Sequence, residues 1–257
     1  MNLGLDGKQA IVCASSKGLG RGCALALAEA GCRVVINGRN QETLEQTVEA
    51  LRQATGAEIV AVAADVGTSA GQDALFAACP EPDILVNNNG GPPRKDFREL
   101  DRQAMLDGVV QNMVTPIELV QRAVDGMAER RFGRIVNITS MSVKSPITGL
   151  DLSSGARAGL SAFLAGVCRQ YADRNVTMNQ ILPGLFDTDR LRSGFAPTAK
   201  MLGKTPEQVE EDRRNGIPAR RFGNAEEFGK ACAFLCSEHA GYITGQNLLI
   251  DGGAFNG

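Results

Sequence analysis

The sequence predicts an α/β protein: a doubly wound parallel sheet of about seven strands, covered by helices on both faces, in a single domain over residues 1–257. Three observations predict it. Short apolar runs alternate with helical patterns from one end of the chain to the other, as in repeated strand–helix–strand units. The runs are rich in Val, Ile and Ala, as strands buried on both faces are. The glycine and polar clusters follow the runs, at the carboxyl ends of the strands where such sheets bind ligands.

The first strand is Gln9-Ala10-Ile11-Val12-Cys13. The turn Ala14-Ser15-Ser16-Lys17-Gly18-Leu19-Gly20 follows, then an alanine-rich helix over 21–30 and a second strand over 32–36. Strand, glycine turn, helix, strand is the Rossmann unit that lays a pyrophosphate on a helix N-terminus. Gly18 and Gly20 carry no side chain, so backbone N–H groups can approach a phosphate and the helix can pack on the sheet. An ordinary glycine-rich turn has the same spelling; the flanking strands and helix favour nucleotide binding. Helical patterns then occupy 41–55, 69–79, 101–130, 152–173 and 225–236. Strands are expected over 58–64, 83–87, 134–139, 175–182 and 247–251. The helix from 152 is expected to bury Leu152, Ala156, Leu160, Phe163, Val167 and Tyr171 on one face. No linker, charge block or low-complexity tract divides the chain, and its length allows one large core.

A formal charge of −2 and an isoelectric point of about 5.6 argue against a general nucleic-acid surface. The first six residues lack the basic start and apolar stretch of a signal peptide. No apolar run approaches the roughly 18 residues of a membrane helix. The seven cysteines are scattered, odd in number and without a C-x-x-C pair, which reads as reduced thiols in a cytoplasmic protein. Cys232 and Cys236 share a helix face, where burial is a better reading than a metal, and no metal site is expected. His239 is the only histidine and reads as a helix-end residue; it leaves little room for a Ser-His-Asp hydrolase or a histidine-rich metal centre.

Asn87-Asn88-Asn89-Gly90-Gly91 follows the fourth strand and Ile138-Thr139-Ser140 the fifth. Pro183-Gly184-Leu185-Phe186-Asp187-Thr188 follows the sixth, and Tyr242-Ile243-Thr244-Gly245-Gln246 precedes the seventh. With these motifs in this order, the chain resembles the short-chain dehydrogenase/reductase family over nearly its whole length. It is most similar in pattern to the bacterial 3-oxoacyl-(acyl-carrier-protein) reductases. The resemblance implies a dinucleotide site. Residues 13–20 stand where the family has Thr-Gly-x-x-x-Gly-x-Gly, with Ala14 replacing the first glycine. Ser15, Ser16, Lys17, Gly18, Leu19 and Gly20 then surround the pyrophosphate. Asp65-Val66 matches the pair that meets the adenine, although Asp65 also reads as a helix cap. Asn88 and Gly90 match the family's Asn-Ala-Gly turn at the cofactor ribose. Pro183, Gly184 and Thr188 match the segment that holds the nicotinamide carboxamide, and residues 190–215 match the substrate lid.

An NAD-binding chain usually places a carboxylate just after its second strand. Here Asn37-Gly38-Arg39 stands there, and Lys17 adds a second cation in the glycine turn. Two cations and no carboxylate suit the 2′-phosphate of NADP(H). The alternative for Arg39 is a surface pair with Glu42.

The catalytic set departs from the family. Asn112 and Ser140 match its asparagine and serine, but the Tyr-x-x-x-Lys pair is replaced by Ser153 and Arg157, and the only tyrosines are Tyr171 and Tyr242. The family tyrosine gives a proton to the carbonyl oxygen as hydride arrives. Serine is a weaker acid and shorter, and Arg157 keeps a charge for the ribose without releasing a proton. Losing a general acid costs roughly 10²–10⁴ in rate, or about 3–5 kcal/mol. Three explanations stay open. Ser153 works through an ordered water while Ser140 polarises the carbonyl; or Asp151, Ser142 or Asp187 supplies the proton; or the chain binds NADP(H) and catalyses little. Ser153 and Ser154 also read as helix caps.

The resemblance thus implies hydride transfer between NADP(H) and a small-molecule carbonyl or secondary alcohol, with a 3-oxoacyl thioester as the default substrate. It also implies a homotetramer, with no nucleic-acid or membrane partner. The alternative is a catalytically weak NADP(H)-binding sensor or assembly protein of the same fold.

Overall fold

The computed structural model describes residues 1–92 and 94–256. Its strands are β1 (Gln9–Val12), β2 (Arg33–Gly38), β3 (Ile59–Ala63), β4 (Ile84–Asn87), β5 (Gly133–Ile138), β6 (Val176–Pro183) and β7 (Asn247–Ile250). They form one parallel sheet in the order β3-β2-β1-β4-β5-β6-β7. The winding reverses between β1 and β4, so the ligand crevice opens beyond the carboxyl ends of these two strands.

Side chains alternate between the faces along each strand. Ala10 and Val12 of β1 join one apolar cluster with Leu27, Ile36, Val86 and Phe228; Ile11 joins the other with Val35, Leu85, Leu119 and Leu160. The first cluster lies under α1 (Gly18–Glu29), α2 (Gln41–Thr55) and a late helix at Ala225–Cys236. The second lies under α3 (Ser69–Ala78) and the helices after β4 and β5. Side-chain caps start several of these helices. Asn40 accepts from the Thr43 N–H at α2, and Thr68 from the Gly71 N–H at α3. The first turn of α1 has no side-chain cap, so its N–H groups remain for a ligand.

The segment expected as one helix over 101–130 is broken. It forms α4 (Arg102–Val109), a π-helical turn at Val110–Val114 and α5 (Thr115–Glu129). Pro116 in the first turn of α5 has no N–H for the carbonyl of Asn112, four residues back, so the ladder widens there. The helix expected over 152–173 is shorter: α6 (Asp151–Val167) ends in separate turns at Cys168–Gln170 and Ala172–Arg174, and Asn175 closes them in a left-handed conformation (φ 57°). Its inner face is also rotated. Phe163 is 45 % exposed, while Ser153, Arg157 and Ser161 are buried beside Ala156, Leu160 and Leu164. The inward stripe follows the four-residue step from 156 to 160 to 164 and takes in the polar row next to it.

After β6 come α7 (Asp189–Arg192), α8 (Phe195–Leu202) and α9 (Pro206–Asn215), with a small core of their own from Phe195, Ala199 and Val209. The last helix, α10 (Ala225–Cys236), crosses α1 with backbone against backbone. A Cβ on Gly22 would lie 2.0 Å from the Ala225 carbonyl oxygen, and one on Gly229 would lie 2.0 Å from that of Gly22. His239 sits in a short turn at Glu238–Ala240, with its Nε2 2.7 Å from the Asn2 carbonyl oxygen.

Candidate active site

The glycine turn is held by the groups around it. Ala14 adopts φ 43°, the left-handed conformation that the family's glycine would take without strain. Ser15 is fully buried: its hydroxyl donates to the Val12 carbonyl (2.6 Å) and accepts from the Asn37 N–H (3.0 Å). Expected at the pyrophosphate, the Ser15 hydroxyl is instead committed to the shape of the turn. Asn37 is likewise structural, its amide donating to the carbonyls of Val62 and Ala64 at 3.0 Å each. Asn88 donates to the Ala14 carbonyl at 3.0 Å. A Cβ on Gly20 would lie 2.5 Å from the same carbonyl oxygen, which leaves glycine as the residue that fits. Ser16 and Leu19 are half-buried. Thr188 packs against Gly18, its Cγ2 lying 3.6 Å from where a Cβ would be, and its hydroxyl accepts from the Leu191 N–H to cap α7. The glycine turn and the Pro183–Thr188 segment therefore meet.

Lys17 is exposed, with its Nζ 3.8 Å from Asp189 Oδ2. Arg39 is exposed, and among the described residues no carboxylate lies within 4.0 Å of it, Glu42 included. Asp65 accepts from the Gly67 N–H at 2.9 Å, and Thr68 rather than Asp65 caps α3. The Val66 side chain is in the core, so a part for Val66 at an adenine falls to its backbone. Gly90 borders open space, Pro183 ends β6, and Gly184 is pressed against Asp251.

Across the crevice stand the residues matched to catalysis. Ser140 follows β5, and its hydroxyl accepts from the Ser142 N–H at 3.1 Å, which leaves its own proton to donate. Ser153 and Arg157, one turn apart on α6, are both buried. The Ser153 hydroxyl accepts from Arg157 Nε at 3.2 Å, and Arg157 donates further to the carbonyls of Ile138 (2.8 Å) and Asn89 (3.3 Å). Ser154 instead bonds back to the Leu150 carbonyl at 2.9 Å. Burial, and then the charge of Arg190, push the Arg157 guanidinium down to about 10; it remains a cation at neutral pH. Asn112 lies in the π-turn, donating to the Gly90 carbonyl at 3.5 Å, while its buried Oδ1 has no partner among the described residues. Asn87, Asn112, Asn137 and Arg157 line a cavity with room for a single water. Neither tyrosine is at hand: the Tyr171 hydroxyl donates to Asp125, and Tyr242 is fully exposed.

Among the other acids considered, Asp187 is clamped by Arg192 at 2.6 and 2.7 Å, and that hydrogen bonding holds its carboxyl below the usual carboxylate range. Asp187 is therefore a poor proton donor near neutrality. Asp151 is exposed and accepts from the Gly149 N–H at 3.1 Å. The Ser142 hydroxyl is buried without a partner.

A switch-point crevice with an uncapped helix, a glycine turn and this Asn–Ser set points to one family, and residues 13–254 match the family model described as Enoyl-(Acyl carrier protein) reductase. The chain belongs to the short-chain dehydrogenase/reductase family. It is 32 % identical over 252 residues to the NADPH-dependent reductase BacG of Bacillus subtilis (strain 168), covering 96 % of this chain and 97 % of that protein. It is 31 % identical over 260 residues to the 3-oxoacyl-[acyl-carrier-protein] reductase FabG of Aquifex aeolicus (strain VF5), covering 99 % and 100 %. Its fold is similar to the crystal structure of YwfH, an NADPH dependent reductase involved in bacilysin biosynthesis, with TM-score 0.92, 32 % identity and coverage of 98 % and 100 %.

This short-chain dehydrogenase/reductase also brings Arg190 and Lys95 to the crevice, which the motifs did not single out. Lys95 lines a surface cleft with Pro92, Leu150, Leu152 and Ser153. The Arg190 guanidinium reaches across Gly91 toward Ser153. An arginine on a short surface helix and a lysine in a loop are ordinary, and no local spacing marks these two.

Proposed function

We propose that this short-chain reductase transfers a hydride between NADP(H) and the carbonyl or secondary alcohol of a small molecule. The glycine turn carries the cofactor reading: α1 begins without a side-chain cap, and Gly20 has no space for a Cβ. Gly18 and Gly20 face the pyrophosphate, Lys17 and Arg39 the 2′-phosphate, Asp65 and Val66 the adenine. Asn88, Gly90 and Arg157 hold the nicotinamide ribose, and Pro183, Gly184 and Thr188 the carboxamide. Bound there, the nicotinamide supplies or accepts the hydride.

Ser140 and Ser153 each accept one hydrogen bond from the protein, so their own O–H groups point to the reacting oxygen. Arg157 fixes Ser153 and stays charged. The proton comes from water, positioned by the unpartnered Oδ1 of Asn112. Residues 190–215 act as a lid within a single domain. Met105, Leu106, Val109, Val110, Val114 and Phe163 expose apolar side chains on α4, the π-turn, its exit and α6, which supports a homotetramer built through these helices. The seven buried thiols suit the cytoplasm, and among the described residues no helix is long and apolar enough to cross a membrane.

Titration by cofactor fluorescence tests the first step. NADPH should bind more tightly than NADH, and Arg39→Ala should weaken NADPH by about tenfold, a typical loss for one charge-assisted bond, while NADH is unaffected. Equal affinities in the unmodified protein would sink the NADP(H) reading.

A further inference from the structure

Among the described residues, no carboxylate lies within 4.0 Å of the cations at the substrate end of the crevice. Arg157 is 8 % exposed, and its three partners are the Ser153 hydroxyl and two carbonyls. A guanidinium has five N–H groups, so two remain. Arg190 comes from the other side. The point where a Cβ on Gly91 would sit lies 3.0 Å from Arg190 Nη2, 3.6 Å from Arg190 Nη1 and 3.5 Å from Ser153 Oγ. Among the described residues, that guanidinium makes one hydrogen bond, to the Gly91 carbonyl at 3.5 Å. Two guanidinium groups thus flank one serine hydroxyl, and Lys95 lines the cleft that this serine borders.

The carboxylates nearby are engaged elsewhere. Asp187 is held by Arg192 and Asp151 by the Gly149 N–H; Asp96 is held by Arg98 at 2.8 Å, and Asp189 faces Lys17. In a chain of net charge −2, an uncompensated basic cleft is a specific feature. A buried cation is costly without an anion beside it, and a planar guanidinium matches a carboxylate with two parallel hydrogen bonds. The cofactor's own phosphates do not account for Arg190, because it turns to Gly91 and Ser153. The residue against the pyrophosphate turn is Thr188, packed on Gly18. A 3-oxoacyl thioester is neutral at its reacting end and leaves Arg190, and the N–H of Arg157 that the ribose does not take, unpaired.

We propose that the substrate of this reductase carries a carboxylate, and that Arg190 and Arg157 hold it beside Ser153. The inference rests on the reductase reading above and narrows its substrate to oxo acids or the matching hydroxy acids.

The test reads binding and turnover separately. Saturation-transfer NMR on the NADP⁺-loaded protein compares pyruvate, 3-oxobutanoate and 4-oxopentanoate with their methyl esters. At least one acid should bind about tenfold or more above its ester. Arg190→Gln should weaken that acid by about 10- to 100-fold, the loss expected for a hydrogen bond to a charged group, and bring acid and ester level. In turnover, the same ratio should appear in KM. Failure of all three acids to bind, or equal binding of acid and ester, overturns the proposal. So does an Arg190→Gln protein that loses NADPH affinity and keeps its acid affinity, which would assign Arg190 to the cofactor. A protein that binds the acid and reduces nothing keeps the carboxylate site and refutes the reductase reading. One that reduces neutral ketones and ignores the acids does the reverse.

Discussion

Around the glycine turn, Ser15, Asn37 and Asn88 spend their side chains on backbone groups of β1, β3 and the turn itself. Among the described residues, no side-chain polar atom buried in residues 1–86 lacks a partner. Beyond β4 and β5 the pattern inverts. Asn87 Oδ1, Asn112 Oδ1, Thr115 Oγ1 and Ser142 Oγ are buried and unpartnered, and Arg157 is a buried cation among neutral oxygens. Buried polar groups are ordinarily satisfied. The side chains around the glycine turn are therefore satisfied within the chain, while those beyond β4 and β5 leave polar atoms for water or a ligand.

The largest expected effect breaks that asymmetry from the substrate side. Ser153→Tyr with Arg157→Lys restores a phenol and a lysine where the family carries them, at a position that borders a surface cleft. Reduction of simple ketones should rise by roughly 10²–10⁴, the contribution of a general acid. If the folded double variant binds NADPH and gains nothing, more than an acid is missing.

The finished side should break differently, through packing. Gly229→Ala puts a methyl group 2.0 Å from the Gly22 carbonyl oxygen, forcing α1 and α10 apart. Thermal denaturation should show a loss of about 1–3 kcal/mol, as for other overpacked sites, and NADPH should bind more weakly as the start of α1 moves.

Ala14→Gly sharpens the comparison in the other sense. An alanine at φ 43° carries a left-handed penalty of about 1–2 kcal/mol, part of which the greater freedom of unfolded glycine cancels. A net gain of roughly 0.5–1 kcal/mol is expected in denaturant unfolding. A loss would mean that the turn prefers its strained alanine.

The smallest effect is electrostatic. At the start of α10, the hydrogen bond from Arg221 and then that from the Asn224 N–H lower the Glu227 carboxyl from 4.5 to about 2. A depressed acid adds stability that is present above its unfolded value and lost as pH falls from 4.5 through about 2. The pair is exposed, so the effect should be a few tenths of a kcal/mol. Glu227→Gln should flatten the acid limb of the stability curve by that amount.

The sheet was legible because doubly buried strands are short, apolar and bounded by turns, and each of the seven expected runs holds a strand. The glycine turn was legible because its backbone needs residues without side chains. What escaped was relational. Pro116 carried the signal for the break before α5, yet an apolar helical pattern running through 101–130 concealed it. On α6, the row Ser153–Arg157–Ser161 is polar and still faces inward, because Arg157 finds its partners on β5 and on the loop after β4. Those contacts lie 19 and 68 residues away in sequence. Ser15 was matched to the pyrophosphate by position, but strand β2 claims its hydroxyl.

The π-turn at Val110–Val114 acts as a phase shift. One extra residue in a helix of 3.6 residues per turn rotates everything before it by about 100° relative to everything after it. With that shift, α4 keeps Met105 and Leu106 on the outside while Asn112 still faces the crevice and α5 still meets the sheet. Removing one residue from 110–114 would regularise the helix and turn the outer apolar stripe by about 100° relative to α5. The same deletion would swing Asn112 off the cavity, so the outer apolar stripe and the inner cavity share a single insertion.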